Sequence, residues 1–491
     1  MYRKDWIAKW AAYTPEKIAV TECETGRSIT YRRLNEQSKF LSNKLVQKGF
    51  IKGERLIVVA EHCLEYVALF SMAQKTGIII VPVNYRLSAS EIDYLIADCR
   101  PKQIIVERKF EHLAKGLKEG VDMVWMEDLA SELTSVQMSA FESRDFDESH
   151  PLFILYTSGT TGRPKGAIYS HKMLLWNSLN TTQSLEIVPH DQTIVCTPAF
   201  HTGGWNVLLT PLLHRGASIG ILKKFDPDVL LKAMEEKGTK LLFGVPTMLK
   251  MMADSKLFDT IDLSEIRYFI VGGEALPLSV IHTWHDKGVK IRQGYGLTEV
   301  GPNLTSLHQN QAEQKIGSIG LPNFYTELKL LAQNGEEVAS NEIGEICLSG
   351  PLVTPGYWNN DKATKEAILQ GWFHTGDLAK MDDDGYLYIV DRIKCMFISG
   401  GENVYPAEVE RVLRQMPEID EAAVIGVASE QWGEVGKAFV TVSNGAIFSS
   451  DSIIEYCTKH LAKFKVPKDV VLLNEMPKND SGKIDRKKLN T

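Results

Sequence analysis

Between residues 34 and 293 the apolar pattern switches repeatedly between a helical period and short, unbroken β-branched runs, and this alternation confines the chain to an α/β fold. Leu34, Leu41 and Leu45 share one helical face over residues 34–48, and Gly49 follows as a stop. Residues 56–59 read as a strand, 64–75 as a helix ended by Gly77, and 78–81 as the next strand. Runs without polar alternation are buried on both faces, which predicts parallel strands covered by helices. Further strands are expected at 153–156, 193–197, 241–244, 267–271 and 289–293, and Asp226-Pro227 opens a helix that Gly238 closes. From 320 to 395 the segments shorten around Asn334-Gly335, Asn359-Asn360 and the turn at 382–385, the texture of an antiparallel β region. A helix at 406–416, strands at 421–427 and 437–443, a helix at 451–462 and a strand at 470–473 complete the pattern. The expected architecture is a large N-terminal α/β domain, residues 1–393, of mixed and parallel sheets flanked by helices plus a β region. A small α+β C-terminal domain, residues 394–491, follows it.

Composition narrows the class. Apolar residues at 44% and charged residues at 24% fit a soluble globular chain and exclude disorder. A formal charge of −7 argues against a basic surface for nucleic acid. The seven cysteines form no CxxC pair, so neither a disulfide framework nor a zinc site is expected, and a reducing, cytoplasmic setting fits. MYRKDWIAKW lacks a signal-peptide core. The apolar stretch 56–83 is interrupted by Glu61, His62, Glu65 and Lys75, so no transmembrane segment is expected.

The strongest motif is YTSGTTGRPKG at 156–166, directly after an apolar strand. Its glycines allow close backbone approach to a ligand, Thr157, Ser158, Thr160 and Thr161 add hydroxyls, and Lys165 adds a positive charge. Such a loop suits phosphate. It does not satisfy GxxxxGK[ST], because Pro164 precedes Lys165. A flexible Gly/Thr linker is the plain alternative, disfavoured by the fixed Tyr156 and Pro164 beside a buried strand. The motif resembles the signature of the adenylate-forming enzymes, a superfamily that includes acyl-CoA synthetases, luciferases and peptide-synthetase adenylation domains. Further motifs occur in that family's order and span most of the chain.

QGYGLTE at 293–299 is the second. Gly294 and Gly296 free the backbone after a strand, and Glu299 is a hard oxygen ligand of the kind Mg²⁺ takes beside phosphate. The resemblance implies that Tyr295 stacks on adenine, Thr298 contacts the α-phosphate and Glu299 holds Mg²⁺, with Thr157 sharing the metal. Alone, the segment would read as a strand-end turn with a solvated Glu. The phosphate loop 157–162 (Thr157, Ser158, Gly159, Thr160, Thr161, Gly162) and the segment Gly273, Glu274, Ala275 are implied to line the ATP site, the latter at the adenine edge. Asp377 of WFHTGD and Arg392 are implied to bind the ribose, where a turn cap and a surface cation are the plain readings. Lys483 of PKNDSGK is implied to be the catalytic lysine of adenylation. Anion attacking anion needs a fixed cation to stabilise the charge that builds up. Lys394 is implied to be the hinge of a mobile C-terminal domain, and Gly400-Gly401 to line the pantetheine channel once that domain rotates. Where the family often has an acidic residue after the hinge, this chain has Cys395.

The segment 198–206 corresponds to the family's acyl pocket. No acidic residue occurs between Thr193 and Leu209, which disfavours an amino-acid substrate. His201, Gly203, Gly204 and Trp205 are the pocket candidates. His201 reads equally as a satisfied core histidine, and Trp205 as pocket wall or core. The resemblance implies an ATP- and Mg²⁺-dependent ligase that converts a carboxylic acid, fatty acids before aryl acids, to acyl-AMP and then to acyl-CoA. A ligase loading a carrier protein is the alternative within the family. A kinase or ATPase is the distant one, lacking a Walker lysine and any HRD or DFG set; a nucleotide-binding module without chemistry would leave Lys483 and Glu299 dispensable. The implied partners are the acid, ATP and CoA, without nucleic acid, and a homodimer stays open. Residues 459–491 carry nine Lys and Arg against four acids, a local +5 within the acidic chain.

Overall fold

The computed structural model describes residues 4–115, 121–136, 139–157, 164–273, 276–442, 449–479 and 483–489. Contacts divide the chain into two units, Met1–Leu328 with Leu348–Phe373, and Lys329–Cys347 with His374–Thr491.

In the first unit the unbroken apolar runs become central strands. A six-stranded sheet has the order Asp122–Trp125, Gln103–Val106, Arg55–Val59, Ile79–Pro82, Pro151–Thr157 and Lys165–Ser170. Its pairings are parallel except the last, which is antiparallel. Burial on both faces is visible residue by residue. Leu56, Val58 and Ile80 enter one apolar cluster, while Ile57, Val59, Ile79 and Val81 enter another. A nine-stranded sheet has six consecutive parallel strands: Ile291–Tyr295, Tyr268–Val271, Leu241–Gly244, Gln192–Val195, Ser218–Ile221 and Ile18–Glu22. It too splits its side chains, Leu241 and Ile270 to the shared cluster, Leu242 and Val271 to an outer one. The shared cluster draws on both sheets and is filled by the helix Leu64–Thr76, buried along its whole length. The helix Pro227–Lys237 begins where the Asp226 carboxylate accepts from the N–H groups of Asp228 and Val229, and ends at Gly238 with φ +61°. No helix of the described residues is long and apolar enough to cross a membrane.

The second unit holds the antiparallel region. Trp372–Met381 pairs with Leu387–Arg392 around a turn in which Asp382 N–H donates to the Tyr386 carbonyl. The C-terminal α+β part pairs Ile419–Ser429 with Gly433–Val442 antiparallel, adds Asp469–Leu472 in parallel, and packs Pro406–Leu413 and Ser450–His460 through Val409, Leu413, Ile453 and Cys457. The helix expected over 406–416 stops at Leu413. Pro417 disfavours helical backbone before it, and residues 414–416 close with tight bonds such as Met416 N–H to the Leu413 carbonyl.

Candidate active site

The two glycine-rich motifs follow the carboxyl ends of strands in the two sheets of the first unit, the usual place for a ligand in an open α/β sheet. The hairpin register sets Thr157 opposite Lys165 across the first loop. Gly166 is confined there, because a Cβ would stand 2.7 Å from Ile154 Cγ2. Tyr156 anchors the strand end, its hydroxyl donating to Asp98 Oδ2 at 2.6 Å. Burial, followed by neighbouring negative charge, pushes that phenol far above its ordinary pKa. Ser158, Gly159, Thr160, Thr161 and Gly162 lie outside the described residues, as do Glu274 and Ala275.

The strand Ile291–Tyr295 ends at Gly296, where a Cβ would sit 2.1 Å from the Pro302 carbonyl oxygen, so only glycine fits. The chain then makes a single 3-10 turn, Thr298–Val300, that turns the Glu299 carboxylate inward. Glu299 is 8% exposed. Its Oε1 accepts from the Tyr357 hydroxyl at 3.1 Å and from Thr157 Oγ1 at 3.3 Å. Burial, with Glu299's charge as the next cause, raises the Tyr357 phenol far above its normal range, so it stays a donor. Lys165 Nζ lies 5.2 Å from the centre of the Tyr357 ring. Thr157, Lys165, Glu299 and Tyr357 thus converge although they are up to 200 residues apart in sequence. The hard oxygens of Glu299 and Thr157 fit a magnesium ion that keeps water and phosphate as its other ligands. Beside them, Tyr295 and Thr298 are half-buried, Gly294 pairs in register with Ser306, and Gly273 takes φ +88°.

Tyr357 was not read from the sequence. It sits in the loop 350–358, where Thr354 N–H donates to the Glu299 carbonyl at 2.7 Å, Thr354 Oγ1 to the Ile168 carbonyl at 2.7 Å, and Trp358 N–H to the Gly166 carbonyl at 2.7 Å. The available signal was Pro355-Gly356-Tyr357-Trp358. Gly356 has φ +142°, a glycine-only backbone that marks a constrained loop rather than a linker.

Of the acyl-pocket candidates, His201 is exposed and lies 4.5 Å from Phe200, centre to centre. Gly203–Val207 forms a π-helical turn, a feature that re-aims side chains. Gly203 faces Phe243, whose ring would be 3.1 Å from a Cβ. Gly204 is packed instead against backbone, with the Pro198 oxygen 2.3 Å from a Cβ. Trp205, open between pocket wall and core in the sequence, packs in the core. It is fully enclosed, stacks on Phe70 at 5.6 Å, meets Tyr66 edge-on, and donates Nε1–H to the Ala199 carbonyl at 2.8 Å. That hydrogen bond is what lets an indole be buried whole.

In the second unit, Asp377 Oδ1 accepts from Arg392 Nε at 2.8 Å, and the two residues face each other across the hairpin. Lys394 is exposed, and Cys395, half-buried, donates N–H to the Arg392 carbonyl. Next to them Asp391 Oδ2 caps the helix Pro406–Leu413 through Ala407 N–H, and burial raises its pKa. Gly400 and Gly401, with φ of +62° and +87°, make the two-residue turn between Phe397–Ser399 and Glu402–Val404. Lys483 is exposed. Its backbone is fixed by Asn479, which accepts from Lys483 N–H through Oδ1 and donates N–H to the Lys483 carbonyl at 2.7 Å.

Residues 7–358 match the model of the AMP-binding enzyme family and residues 408–483 that of the AMP-binding enzyme C-terminal domain. A feruloyl-CoA synthase of an Amycolatopsis species is 35% identical over 98% of this chain and 96% of its own length. ATP-bound MatB from Rhodopseudomonas palustris superposes with a TM-score of 0.90 at 31% identity, covering 99% of this chain and 98% of that one. The o-succinylbenzoate coenzyme A synthetase MenE from Bacillus subtilis, in complex with ATP and magnesium ion, gives 0.87 at 27%, covering 99% of both.

Proposed function

The chain belongs to the AMP-binding enzyme family, and we propose that it is an acid–thiol ligase that activates an apolar carboxylic acid with ATP and transfers it to CoA. The observation that carries this reading is the buried Glu299 carboxylate, reached by Thr157 from the other sheet, with Lys165 over the Tyr357 ring beside it. A phosphate loop alone would serve many reactions; a phosphate loop joined to a buried metal-type carboxylate serves phosphoryl or nucleotidyl transfer.

In the first half-reaction a carboxylate oxygen attacks the α-phosphorus of ATP, forming an O–P bond as the P–O bond to pyrophosphate breaks. Thr157 serves the triphosphate, and the family resemblance assigns Ser158, Gly159, Thr160, Thr161 and Gly162 to the same task. Glu299 and Thr157 would hold Mg²⁺, which would neutralise charge on the phosphate oxygens. Lys165 adds a second positive charge, and Thr298 positions the α-phosphate. Tyr295 stacks on adenine between Gly294 and Gly296, and the family resemblance assigns Gly273, Glu274 and Ala275 to the adenine edge. Asp377, oriented by Arg392, accepts from the ribose hydroxyls. Lys483 stabilises the charge that develops on the α-phosphate. In the second half-reaction the CoA thiolate attacks the acyl carbon, a C–S bond forms, and AMP leaves with the C–O electrons. Gly400 and Gly401 pass the pantetheine arm after the chain pivots at Lys394, which separates an ATP- and acid-binding part, 1–393, from a cap, 394–491.

Phe200, His201, Gly203 and Phe243 border the acyl side, and residues 193–209 carry no carboxylate to pair with a substrate ammonium. Fatty acids and aryl acids both satisfy such a wall, and the feruloyl-CoA synthase relative argues for including phenylpropenoic acids. Seven unpaired cysteines support a cytoplasmic setting. The test is to incubate the chain with ATP, Mg²⁺, CoA and acids from acetate to palmitate plus benzoates and cinnamates, and to follow products. Acid-dependent AMP, pyrophosphate and acyl-CoA are expected. AMP and pyrophosphate that appear only with a carrier protein would assign that acceptor, and ADP would overturn the reading.

A further inference from the structure

The second unit brings together three side chains that the ligase reaction does not use. Glu345 and Cys347 are two apart on the strand Ile343–Ser349 and so point to one face, and His374 lies on the neighbouring strand Trp372–Met381. Cys347 Sγ is 3.5 Å from His374 Nδ1, and His374 Nδ1 is 2.7 Å from Glu345 Oε2. All three atoms lie within 4.8 Å of one another. The Cys347 residue is enclosed, whereas the Glu345 and His374 side chains keep 18% and 23% of their surface. An ion and a water ligand therefore have access from the Glu and His side.

We propose that Glu345, Cys347 and His374 form a binding site for a thiophilic divalent cation of the Zn²⁺ type, separate from the magnesium of the reaction. Tetrahedral zinc with bonds of about 2.3 Å to sulfur and about 2.0 Å to nitrogen separates S and N by about 3.5 Å. The Cys347–His374 distance already has that value. Oxygen and nitrogen ligands of the same ion stand about 3.4 Å apart, so Glu345 Oε2 need retreat only by roughly 0.7 Å. Its other oxygen is already held, accepting from Gly376 N–H at 2.8 Å, and can stay so while Oε2 moves. A backbone hydrogen bond of this kind steadies a ligating carboxylate. Binding replaces the Cys347 S–H with a metal–sulfur bond and releases that proton to solvent. The His374 proton moves from Nδ1 to Nε2, with Nδ1 donating its lone pair to the ion. A thiolate ligand selects zinc, cobalt or cadmium over magnesium.

The probe is Co²⁺, titrated into the full chain after reduction and chelator treatment with magnesium present throughout. A thiolate-to-cobalt charge-transfer band saturating at one equivalent and bleached by Zn²⁺ is expected. C347S, which keeps a small polar side chain, should lose the band while far-ultraviolet circular dichroism and melting stay unchanged. H374Q, whose amide can still donate to Glu345, should weaken binding by roughly tenfold or more. Absence of the band in the parent chain, or its persistence in folded C347S, would overturn the proposal. Should C347S melt early, C347A is read in its place by the same criterion.

Discussion

Glu299 and Lys483 carry the two charges on which the proposed chemistry turns, and the fold treats them in opposite ways. Glu299 is buried, accepts from Tyr357 and Thr157, and follows a glycine that no other residue can replace without displacing Pro302. Lys483 is exposed and is tied to the fold through its backbone and Asn479. The difference follows from what each must do. A metal ligand works best when pre-organised, because a buried carboxylate held by donors need not reorganise during reaction. A lysine used in one half-reaction gains from an exposed side chain, which can leave the phosphate when the other half-reaction runs. Stability and chemistry should therefore be coupled at Glu299 and separable at Lys483.

That contrast can be broken experimentally. Lys483→Ala should lower adenylation by on the order of 10²–10³-fold, leave the melting temperature unmoved, and still allow supplied acyl-AMP to become thioester. Loss of both half-reactions would show that Lys483 is structural. Glu299→Gln should reduce adenylation by roughly 10²-fold and weaken the response to Mg²⁺, and here thermal stability should fall as well. Gly296→Ala tests the backbone beneath Glu299. The clash with the Pro302 carbonyl should cost about 1–3 kcal/mol in a denaturant titration, and an unchanged midpoint would mean that the turn relaxes freely. Tyr357→Phe removes one hydrogen bond to a carboxylate, about 1.5 kcal/mol or roughly tenfold in kcat/KM; a full-rate variant would remove Tyr357 from the site.

The smallest effect concerns pH and also separates the two regions. His62 and His214, in the first unit, are held down to about 4 by burial, and buried His171 is shifted the same way. Each stays neutral in the fold but binds a proton in the unfolded chain below about 6.5. The unfolded state then carries more protons, so stability falls as pH drops from about 6.5 toward 4, by under about 1 kcal/mol per histidine between pH 7 and 6. His214→Gln should flatten that slope in melting curves, whereas Lys483→Ala should leave it unchanged.

How much of this was legible in the sequence depended on whether a role needs local or distant residues. Strands and the capped helix at 227–237 rest on neighbours in sequence, and the structure forms them within a few residues of the expected bounds. The helix predicted to 416 overran because Pro417 acts on the residue before it. Tyr357 was invisible because its partner Glu299 lies 58 residues away and a tyrosine in a Pro-Gly loop has many uses. Trp205 beside two glycines looks the same whether it lines a pocket or fills a core; the Ala199 carbonyl that satisfies its N–H decides. Glu345, Cys347 and His374 were dispersed among ordinary residues until strand pairing joined them.

The central claim is that a carboxylate attacks the α-phosphate of ATP. An acid labelled with heavy oxygen in its carboxylate tests this most directly, by mass spectrometry of the phosphate-bearing products. The proposed reaction predicts one labelled oxygen in AMP and none in pyrophosphate. Label in orthophosphate or pyrophosphate, with unlabelled AMP or with ADP, would place the attack on another phosphorus and contradict it.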